Sequence, residues 1–269
     1  MVIVKIIVFV ILLLFSNVVS TNNAIVNNKD DNKTEDNIKD SRSYLEKALS
    51  LAKTGDTQAA ILCLNSAIRL DPKYVDAYIA RASILEKNGN LQSALIDYTH
   101  ALNIKPYDKL FYNRGVIELA LKAFAEAARD FTSAIELNPQ FARAYSDRGI
   151  AFLANNMLEE AKNDFIQAFH LNNNILFALE KTGEINLKQG NFIEALKNFD
   201  QLLQIDKNNA NGYLHRAKVY EALKMPEQAL KDYNTGVNLS NNNSPTDNTT
   251  PNSNILDHQT DSQMKSDSI

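Results

Sequence analysis

The sequence has 269 residues, 28 of them basic and 32 acidic, and a formal net charge of −4 at pH 7. This balance lacks the concentrated positive field that binding to a phosphate backbone requires, so nucleic acid is not expected as a partner. Cys63 is the only cysteine, which excludes an intrachain disulfide and a structural zinc site built from cysteines.

The first twenty residues have the composition of a secretory signal peptide. Lys5 precedes a ten-residue apolar run, Ile6 to Phe15, and Val18 to Ser20 offers a cleavage point. The alternative is an uncleaved anchor, because the stretch from Val2 to Val19 is almost long enough to span a bilayer. We therefore predict export to a periplasmic, secreted or luminal location, or attachment to a membrane by residues 2–19.

Residues 21–40 are rich in Asn, Asp and Lys and carry few apolar side chains. Such a segment cannot bury enough apolar surface to offset the entropy that it would lose on ordering. We therefore predict a disordered linker at 21–40.

From Ser41 the chain repeats itself with a period close to 34 residues. An alanine recurs at intervals of 34, 33, 34, 34 and 34 residues, and a large side chain, mostly aromatic, follows it four positions later. Glycine or alanine recurs in the same phase in the first half of each repeat. The three columns are Ala60, Ala94, Ala127, Ala161, Ala195 and Ala229; Leu64, Tyr98, Phe131, Phe165, Phe199 and Tyr233; and Ala48, Ala82, Gly115, Gly149, Gly183 and Ala217. Residues four apart share one face of a helix, so each repeat predicts two antiparallel helices that approach closely.

This pattern, closed by Pro72, Pro106 and Pro139 in the first three repeats, resembles the tetratricopeptide repeat. The resemblance implies an all-α fold, a right-handed superhelical solenoid of antiparallel helix pairs. It also implies that the first helices line a concave groove that binds a peptide or helix of another protein. The resemblance covers residues 41–243 as six units: 41–74, 75–107, 108–141, 142–175, 176–209 and 210–243.

Several positions inside the repeats carry their own predictions. Gly55, Gly89 and Gly190 fall where paired helices meet and predict the turns between them. Glu118 and Asn186 stand where the pattern favours an aromatic ring, so each must reach solvent or find a polar partner. Pro226 suits the first turn of a helix and predicts that the last second helix starts there.

Four arginines occupy one place in the first helices, and an aspartate lies sixteen residues after each of them. The two units that lack the arginine, at Lys47 and Thr182, also lack the aspartate. This paired presence and absence favours structural ion pairs over a ladder of anion-binding sites. The predicted pairs are Arg81 with Asp97, Arg114 with Asp130, Arg148 with Asp164, and Arg216 with Asp232.

A second apolar stripe on the first helices predicts where a partner binds. Tyr112, Val116 and Leu119 form it in the third unit at helical spacing, and Ile150 and Leu153 continue it in the fourth. These places face the groove in the family that the sequence resembles, although the same stripe could instead pack against neighbouring helices. The predicted partner-binding residues are Tyr112, Asn113, Val116, Leu119, Arg143, Ile150 and Leu153, with a polar rim at Ser83, Glu86, Glu180 and Glu184.

Catalytic motifs are absent from the sequence. It contains no H-E-x-x-H, G-x-S-x-G or G-x-x-x-x-G-K, and its four histidines occupy unrelated places. We therefore predict a non-enzymatic scaffold for protein interactions that needs no cofactor or metal. A membrane-tethered assembly factor or an accessory subunit of a larger complex is the alternative.

Residues 244–269 are rich in Ser, Asn and Thr without helical periodicity, which predicts a disordered tail. The sequence shows no polar capping helix after the sixth unit. Leu230, Tyr233 and Val237 are therefore expected to leave an apolar face that weak self-association or a docked tail would cover.

Overall fold

The structure, a computed structural model, describes residues 36–242. This part of the chain forms twelve α-helices and no strands, which is consistent with six helix pairs. The predicted signal peptide or anchor, most of the predicted linker and the predicted tail lie outside the described residues. The helices are α1 (36–53), α2 (Thr57–Leu70), α3 (Val75–Lys87), α4 (Leu91–Ile104), α5 (Asp108–Ala120), α6 (Phe124–Leu137), α7 (Ala142–Ala154), α8 (Leu158–Leu171), α9 (Leu176–Lys188), α10 (Phe192–Ile205), α11 (Ala210–Ala222) and α12 (Pro226–Asn242). Within this described range, no helix combines the length and apolar character needed to cross a membrane.

The described residues divide into two compact units, one that ends at Asn198 and one that begins at Phe199. In the first unit, each second helix, α4, α6 and α8, packs against its own first helix and against the first helix of the next pair. In the second unit, α11 packs against α12 along its length. The all-α arrangement of helix pairs predicted from the period is confirmed.

In the second, third and fourth pairs, the core contains an aromatic ring that faces a small residue of the first helix. Tyr98, Phe131 and Phe165 are fully buried, and the alanines that precede them by four residues are buried too. A Cβ atom added to Gly149 would lie only 2.8 Å from Cε1 of Phe165, so the glycine leaves the space that the ring fills. The gap expected on the first helix is therefore occupied by the aromatic side chain of the second.

The turns between paired helices all place one residue in the left-handed region. Gly55, Gly89 and Gly190 do so with φ between +77° and +86°. The third, fourth and sixth repeats reach the same region with non-glycine residues, Lys122, Asn156 and Lys224, at φ of 58° to 61°. Lysine is uncommon there because its Cβ crowds the backbone, whereas asparagine is tolerated, so the turns at Lys122 and Lys224 carry a conformational cost that glycine avoids.

Helix α1 begins before the predicted start of the repeats. Residues 36–40, placed in the disordered linker by composition, are helical. Ser41 is buried, and its hydroxyl donates to the carbonyl oxygen of Ile38 at 2.8 Å, inside this extension. Pro226 is the first residue of α12, in line with its predicted role.

Candidate partner-binding site

Each of the four arginines forms an ion pair with the aspartate sixteen residues later in the sequence. In every pair Nε and Nη2 of the arginine donate to the two carboxylate oxygens at 2.6 to 3.0 Å. The four aspartates are buried, and the arginines are mostly so. The pairs are Arg81 with Asp97, Arg114 with Asp130, Arg148 with Asp164, and Arg216 with Asp232. Each two-point contact joins the two helices of one pair, with the planar match that a guanidinium makes to a carboxylate.

The third guanidinium nitrogen reaches the preceding repeat. Nη1 of Arg148 donates to Oγ1 of Thr132 at 2.9 Å, and each of the other three arginines makes an equivalent contact. These acceptors are Asn65 for Arg81 at 2.6 Å, Thr99 for Arg114 at 3.3 Å, and Asp200 for Arg216 at 2.7 Å. Each arginine therefore links three helices across a repeat junction.

Aromatic rings cover the guanidinium faces. The guanidinium carbon of Arg148 lies 5.6 Å from the ring centroids of both Tyr145 and Phe152. That of Arg216 lies 5.5 Å from Tyr213 and 5.8 Å from Tyr220. With their nitrogens bonded and rings beside their faces, Arg148 and Arg216 have the contacts expected of the predicted structural ion pairs.

The fifth repeat replaces the ion pair with weaker bonds. The hydroxyl of Thr182 donates to the carbonyl oxygen of Ala178 at 2.8 Å, within its own helix. Asn186 is buried and donates from Nδ2 to Oδ1 of Asn198 at 2.9 Å, so it has the polar partner that its position requires. Neither of these two bonds is ionic, unlike the contact between Arg148 and Asp164 in the fourth repeat.

The apolar stripe separates into a buried and an accessible part. Tyr112 is only 8% exposed and packs against Phe131 and Phe141, with ring centroids 5.7 and 4.7 Å apart. Its hydroxyl donates to Oδ2 of Asp147 at 2.7 Å, which joins α5 to α7. Tyr112 is therefore part of the packing between repeats and offers little surface to a partner.

The other apolar members of the stripe are partly exposed. Val116 and Leu119 have one side against the core cluster that contains Tyr112 and keep the other side accessible. Ile150 and Leu153 take the same places one repeat later and rest on the next core cluster. The four side chains thus place accessible apolar surface at equivalent positions of two first helices that contact each other.

Polar groups accompany this surface. Asn113 is partly exposed and Arg143 is exposed. Burial and the neighbouring Asp147 carboxylate raise the pKa of the Tyr112 hydroxyl, while the positive charge of Arg143 opposes them. Arg143 therefore lies near enough to the bond between Tyr112 and Asp147 to contribute a positive charge there.

Two of the predicted rim residues have internal partners. Glu86 accepts a hydrogen bond from the Tyr98 hydroxyl at 3.3 Å, and Glu184 forms an ion pair with Lys181 at 2.8 Å. Burial, with help from Glu184, raises the pKa of Glu180. The rim is polar, but its charges are partly used to hold the helices together.

Family models match most of the described chain. One, for the tetratricopeptide repeat, matches residues 45–109 and 111–169. A second, for the TPR repeat, matches residues 183–224, and a third, again for the tetratricopeptide repeat, matches residues 210–243. The helix pairs are tetratricopeptide repeats. No curated protein sequence matches the chain.

Several solved structures resemble the fold. A structure of pilF from Pseudomonas aeruginosa is 21% identical with a TM-score of 0.62, covering 78% of this chain and 95% of its own. A protein from Parabacteroides merdae is 22% identical with a TM-score of 0.63, covering 74% and 80%. YrrB, described as having an unusual peptide-binding site, is 20% identical with a TM-score of 0.60, covering 67% and 93%. At these identities the likeness establishes the fold.

The tetratricopeptide repeats position the accessible stripe on rigid elements. Leu119 and Leu153 project from helices that are joined by the bond between Tyr112 and Asp147 and braced behind by Arg114 and Arg148. A surface of this kind can hold an apolar ligand without first ordering itself, which lowers the entropic cost of binding.

Proposed function

We propose that this tetratricopeptide repeat protein is a non-enzymatic, exported interaction protein. It binds a helix or extended peptide of a partner protein on the first helices of its third and fourth repeats. Leu119 and Leu153 anchor apolar side chains of the partner, and Asn113 and Arg143 bind its polar groups. Tyr112 is buried beneath this surface, where its bond to Asp147 fixes the relative position of α5 and α7.

One observation carries this proposal. Val116, Leu119, Ile150 and Leu153 repeat one pattern of accessible apolar surface on two adjacent helices. A solenoid needs buried apolar residues between its helices, but it does not need this additional stripe on the accessible side. Matched apolar stripes on adjacent helices are the surface into which an amphipathic peptide packs.

Substitution on the stripe tests the proposal. Leu119→Glu combined with Leu153→Glu places two charges in the apolar surface and should reduce capture of the partner at least tenfold. The assay is chemical cross-linking in the cells of origin, followed by affinity purification and mass spectrometry. Circular dichroism should show unchanged helicity and nearly the same melting temperature.

The matched control is Leu62→Glu combined with Ile96→Glu. Leu62 and Ile96 lie on second helices and are each more than half exposed, so the control adds the same two charges elsewhere on the repeats. It should leave capture unchanged. Equal loss of the partner in both variants, or unfolding of the stripe variant, would show that this surface is not the binding site.

Export is tested at the N-terminus of the mature protein. A mature chain that starts near Thr21 supports a cleaved signal peptide and release as a scaffold. An intact Met1 or Val2 in the membrane fraction supports the second candidate, an assembly factor tethered by residues 2–19. A chain that stays intact in the soluble cytosolic fraction would contradict export in both forms.

A further inference from the structure

The last turn of α5 carries a carboxylate at a place where the other repeats have none. Glu118 stands there in the position of Leu85, Phe152 and Tyr220, and Leu119 of the proposed partner surface follows it directly. The Oε2 atom of Glu118 is buried and accepts no hydrogen bond. An ionised carboxylate in this place is destabilised, because nothing replaces the solvation that it loses on burial.

The charges around Glu118 leave one carboxylate in excess. Asp130 and Glu126 of α6 repel its negative charge, whereas Arg129 of α6 and Arg114 of α5 attract it. Arg114 donates to Asp130 at 2.6 and 2.8 Å and uses its third nitrogen on α4. Arg129 donates to Glu126 at 3.0 Å. Three carboxylates therefore share two guanidinium groups, and both guanidinium groups are bonded to the other two carboxylates.

The charges that act on Glu118 do not come from α4 and α7, the other two helices packed against α5. Three of the charged groups on those helices are bonded elsewhere: Asp97 to Arg81, Asp147 to Tyr112, and Arg148 to Asp164. The titratable side chains of the two helices are Asp97, Tyr98 and His100 on α4, and Arg143, Tyr145, Asp147 and Arg148 on α7.

The turn between α5 and α6 is bonded to the backbone of Glu118 and Leu119. The amide of Ala123 donates to the carbonyl oxygen of Glu118 at 2.8 Å, and that of Lys122 donates to the carbonyl oxygen of Leu119 at 3.0 Å. Movement of the Glu118 backbone therefore breaks the turn and displaces Leu119 with it.

This turn lacks two features that stabilise the turn between α3 and α4. There the left-handed residue is Gly89, and Asn90 caps α4 by accepting from the amide of Ser93 at 3.3 Å. In the turn between α5 and α6 the corresponding residues are Lys122, at φ of 61°, and Ala123, which makes no side-chain cap. The turn that follows Glu118 is therefore the easier of the two to open.

We propose that the turn between α5 and α6 is a pH-sensitive device that regulates the partner-binding surface through Glu118. With Glu118 neutral, the last turn of α5 stays packed and Leu119 rests on the core cluster that contains Tyr112. With Glu118 ionised, this turn opens so that the carboxylate reaches water, and Leu119 leaves its place. The regulation rests on the proposed function, in which Leu119 is an anchor for the partner.

The direction of the pH effect follows from the two states of Glu118. Burial and then Asp130 raise the pKa of its carboxyl group from 4.5 to about 7 in the closed turn, and exposure to water in the open turn removes this shift. The closed turn therefore holds the proton more tightly, and opening becomes easier as pH rises from about 4.5 to about 7. The partner is bound more tightly at acidic pH than at pH 8.

Hydrogen exchange of the purified full chain at pH 5 and pH 8 tests the opening. Protection factors correct for the intrinsic effect of pH on exchange, and those of the Lys122 and Ala123 amides should fall at least tenfold from pH 5 to pH 8. In Glu118→Gln, which keeps the shape of the side chain without its charge, they should not fall. The same fall in Glu118→Gln would overturn the inference.

The turn between α7 and α8 is an internal control. The amides of Asn156 and Met157 donate to the carbonyl oxygens of Leu153 and Phe152 at 3.0 and 2.9 Å, which are the equivalent bonds. Phe152 takes the place of Glu118, so the protection of these two amides should be the same at both pH values. An equal fall in both turns would show that Glu118 is not the cause.

A peptide probe tests the regulation. A random-peptide phage library selected at pH 5 supplies a peptide whose binding is lost in Leu119→Glu combined with Leu153→Glu. Its dissociation constant for the wild-type chain should rise at least fivefold from pH 5 to pH 8, whereas Glu118→Gln should match the wild type at pH 5 and keep that value at pH 8.

The outcomes separate the regulation from the proposed function. Opening of the turn without a change in the dissociation constant would overturn the regulation and leave the binding site in place. A library that yields no peptide dependent on Leu119 and Leu153 would contradict the proposed function, and the regulation with it, even where hydrogen exchange shows the opening.

Discussion

At the scale of single residues, Glu118 is a side chain whose burial destabilises the repeats. It stands where the other repeats place Leu85, Phe152 and Tyr220, and its Oε2 atom is buried without a hydrogen-bond partner. Burial and then the neighbouring Asp130 raise the pKa of Glu118 to about 7, against the opposing charge of Arg114. The carboxyl group therefore destabilises the folded state most when it is ionised.

Glu118→Gln should change the pH dependence of stability. In the wild-type protein the folded state binds this proton more tightly than the unfolded state does, so the free energy of unfolding falls as pH rises from about 4.5 to about 7. The variant should remove this fall and be more stable than the wild type by about 1 to 2 kcal/mol at pH 8. Urea unfolding at pH 5 and pH 8 measures both values. The exposed Glu194→Gln is the control, and parallel pH profiles for Glu118→Gln and the wild type would contradict the expectation.

The ion pairs lead to a second prediction at this scale. Arg148→Ala leaves Asp164 buried without its partner, and burial already raises the pKa of Asp164 more than Arg148 lowers it. A double-mutant cycle of Arg148→Ala and Asp164→Ala should give a coupling free energy of about 1 to 3 kcal/mol in urea unfolding. Capture of the partner should not change, because both residues lie behind the binding surface. Additive stability losses together with loss of the partner would instead assign the pair to ligand binding.

At the scale of the helix pair, the turn between helices is a position where sequence and conformation disagree. Lys122 adopts φ of 61° in the turn between α5 and α6, where Gly55, Gly89 and Gly190 serve in other repeats. The left-handed region costs a residue with a Cβ atom roughly 1 kcal/mol relative to glycine. The turn geometry is imposed by the packing of α5 on α6, and the lysine follows it.

Lys122→Gly should therefore stabilise the protein by about 0.5 to 1 kcal/mol, after allowance for the greater freedom of glycine in the unfolded chain. The reverse substitution, Gly89→Ala, should destabilise it by a similar amount because Gly89 has φ of +77°. Thermal unfolding of the two variants, with Lys122→Ala as a control that keeps the Cβ atom, measures the effect. A gain for Lys122→Ala equal to that for Lys122→Gly would refute the backbone explanation.

At the scale of the whole molecule, stability is a sum of repeats and junctions, so the repeat with the weakest cross-link matters most. The fifth repeat lacks the arginine and the aspartate, and the boundary between the two compact units falls inside its second helix. Thr182, at the place of the arginine, bonds to Ala178, and Asn198, at the place of the aspartate, bonds to Asn186; neither bond is ionic.

Restoring the ion pair should stabilise this repeat. Thr182→Arg combined with Asn198→Asp copies the arrangement of Arg148 and Asp164 and should raise the free energy of unfolding by about 1 kcal/mol. Hydrogen exchange of the α9 amides should slow in the double variant. Thr182→Arg alone is the control, and it should destabilise the repeat because the buried guanidinium lacks its carboxylate. A gain from the single variant would show that the effect is not the ion pair.

Much of the candidate site could be predicted because the sequence contains six copies of one unit, which can be compared position by position. The aspartate for Arg148 follows from its sixteen-residue spacing and its absence where Thr182 replaces the arginine. The third contact, to Thr132, was missed although the same signal exists: a polar residue precedes each arginine by fifteen or sixteen residues, and Ile166 precedes Thr182. The burial of Tyr112 could not be predicted, since its spacing is the same as that of the accessible Val116 and Leu119.

By itself, the sequence determined the period, the helix pairs and the small residues that face each ring, because these depend only on which side chains share a face of a helix. The tertiary structure decided what depends on distances between repeats. It placed the Tyr112 hydroxyl on Asp147, bridged Arg148 to Thr132, forced Lys122 into the left-handed region and left Tyr233 uncovered. The physical reason is that helical spacing specifies the direction of a side chain, whereas its burial and its bonds are specified by the neighbouring helices that meet it.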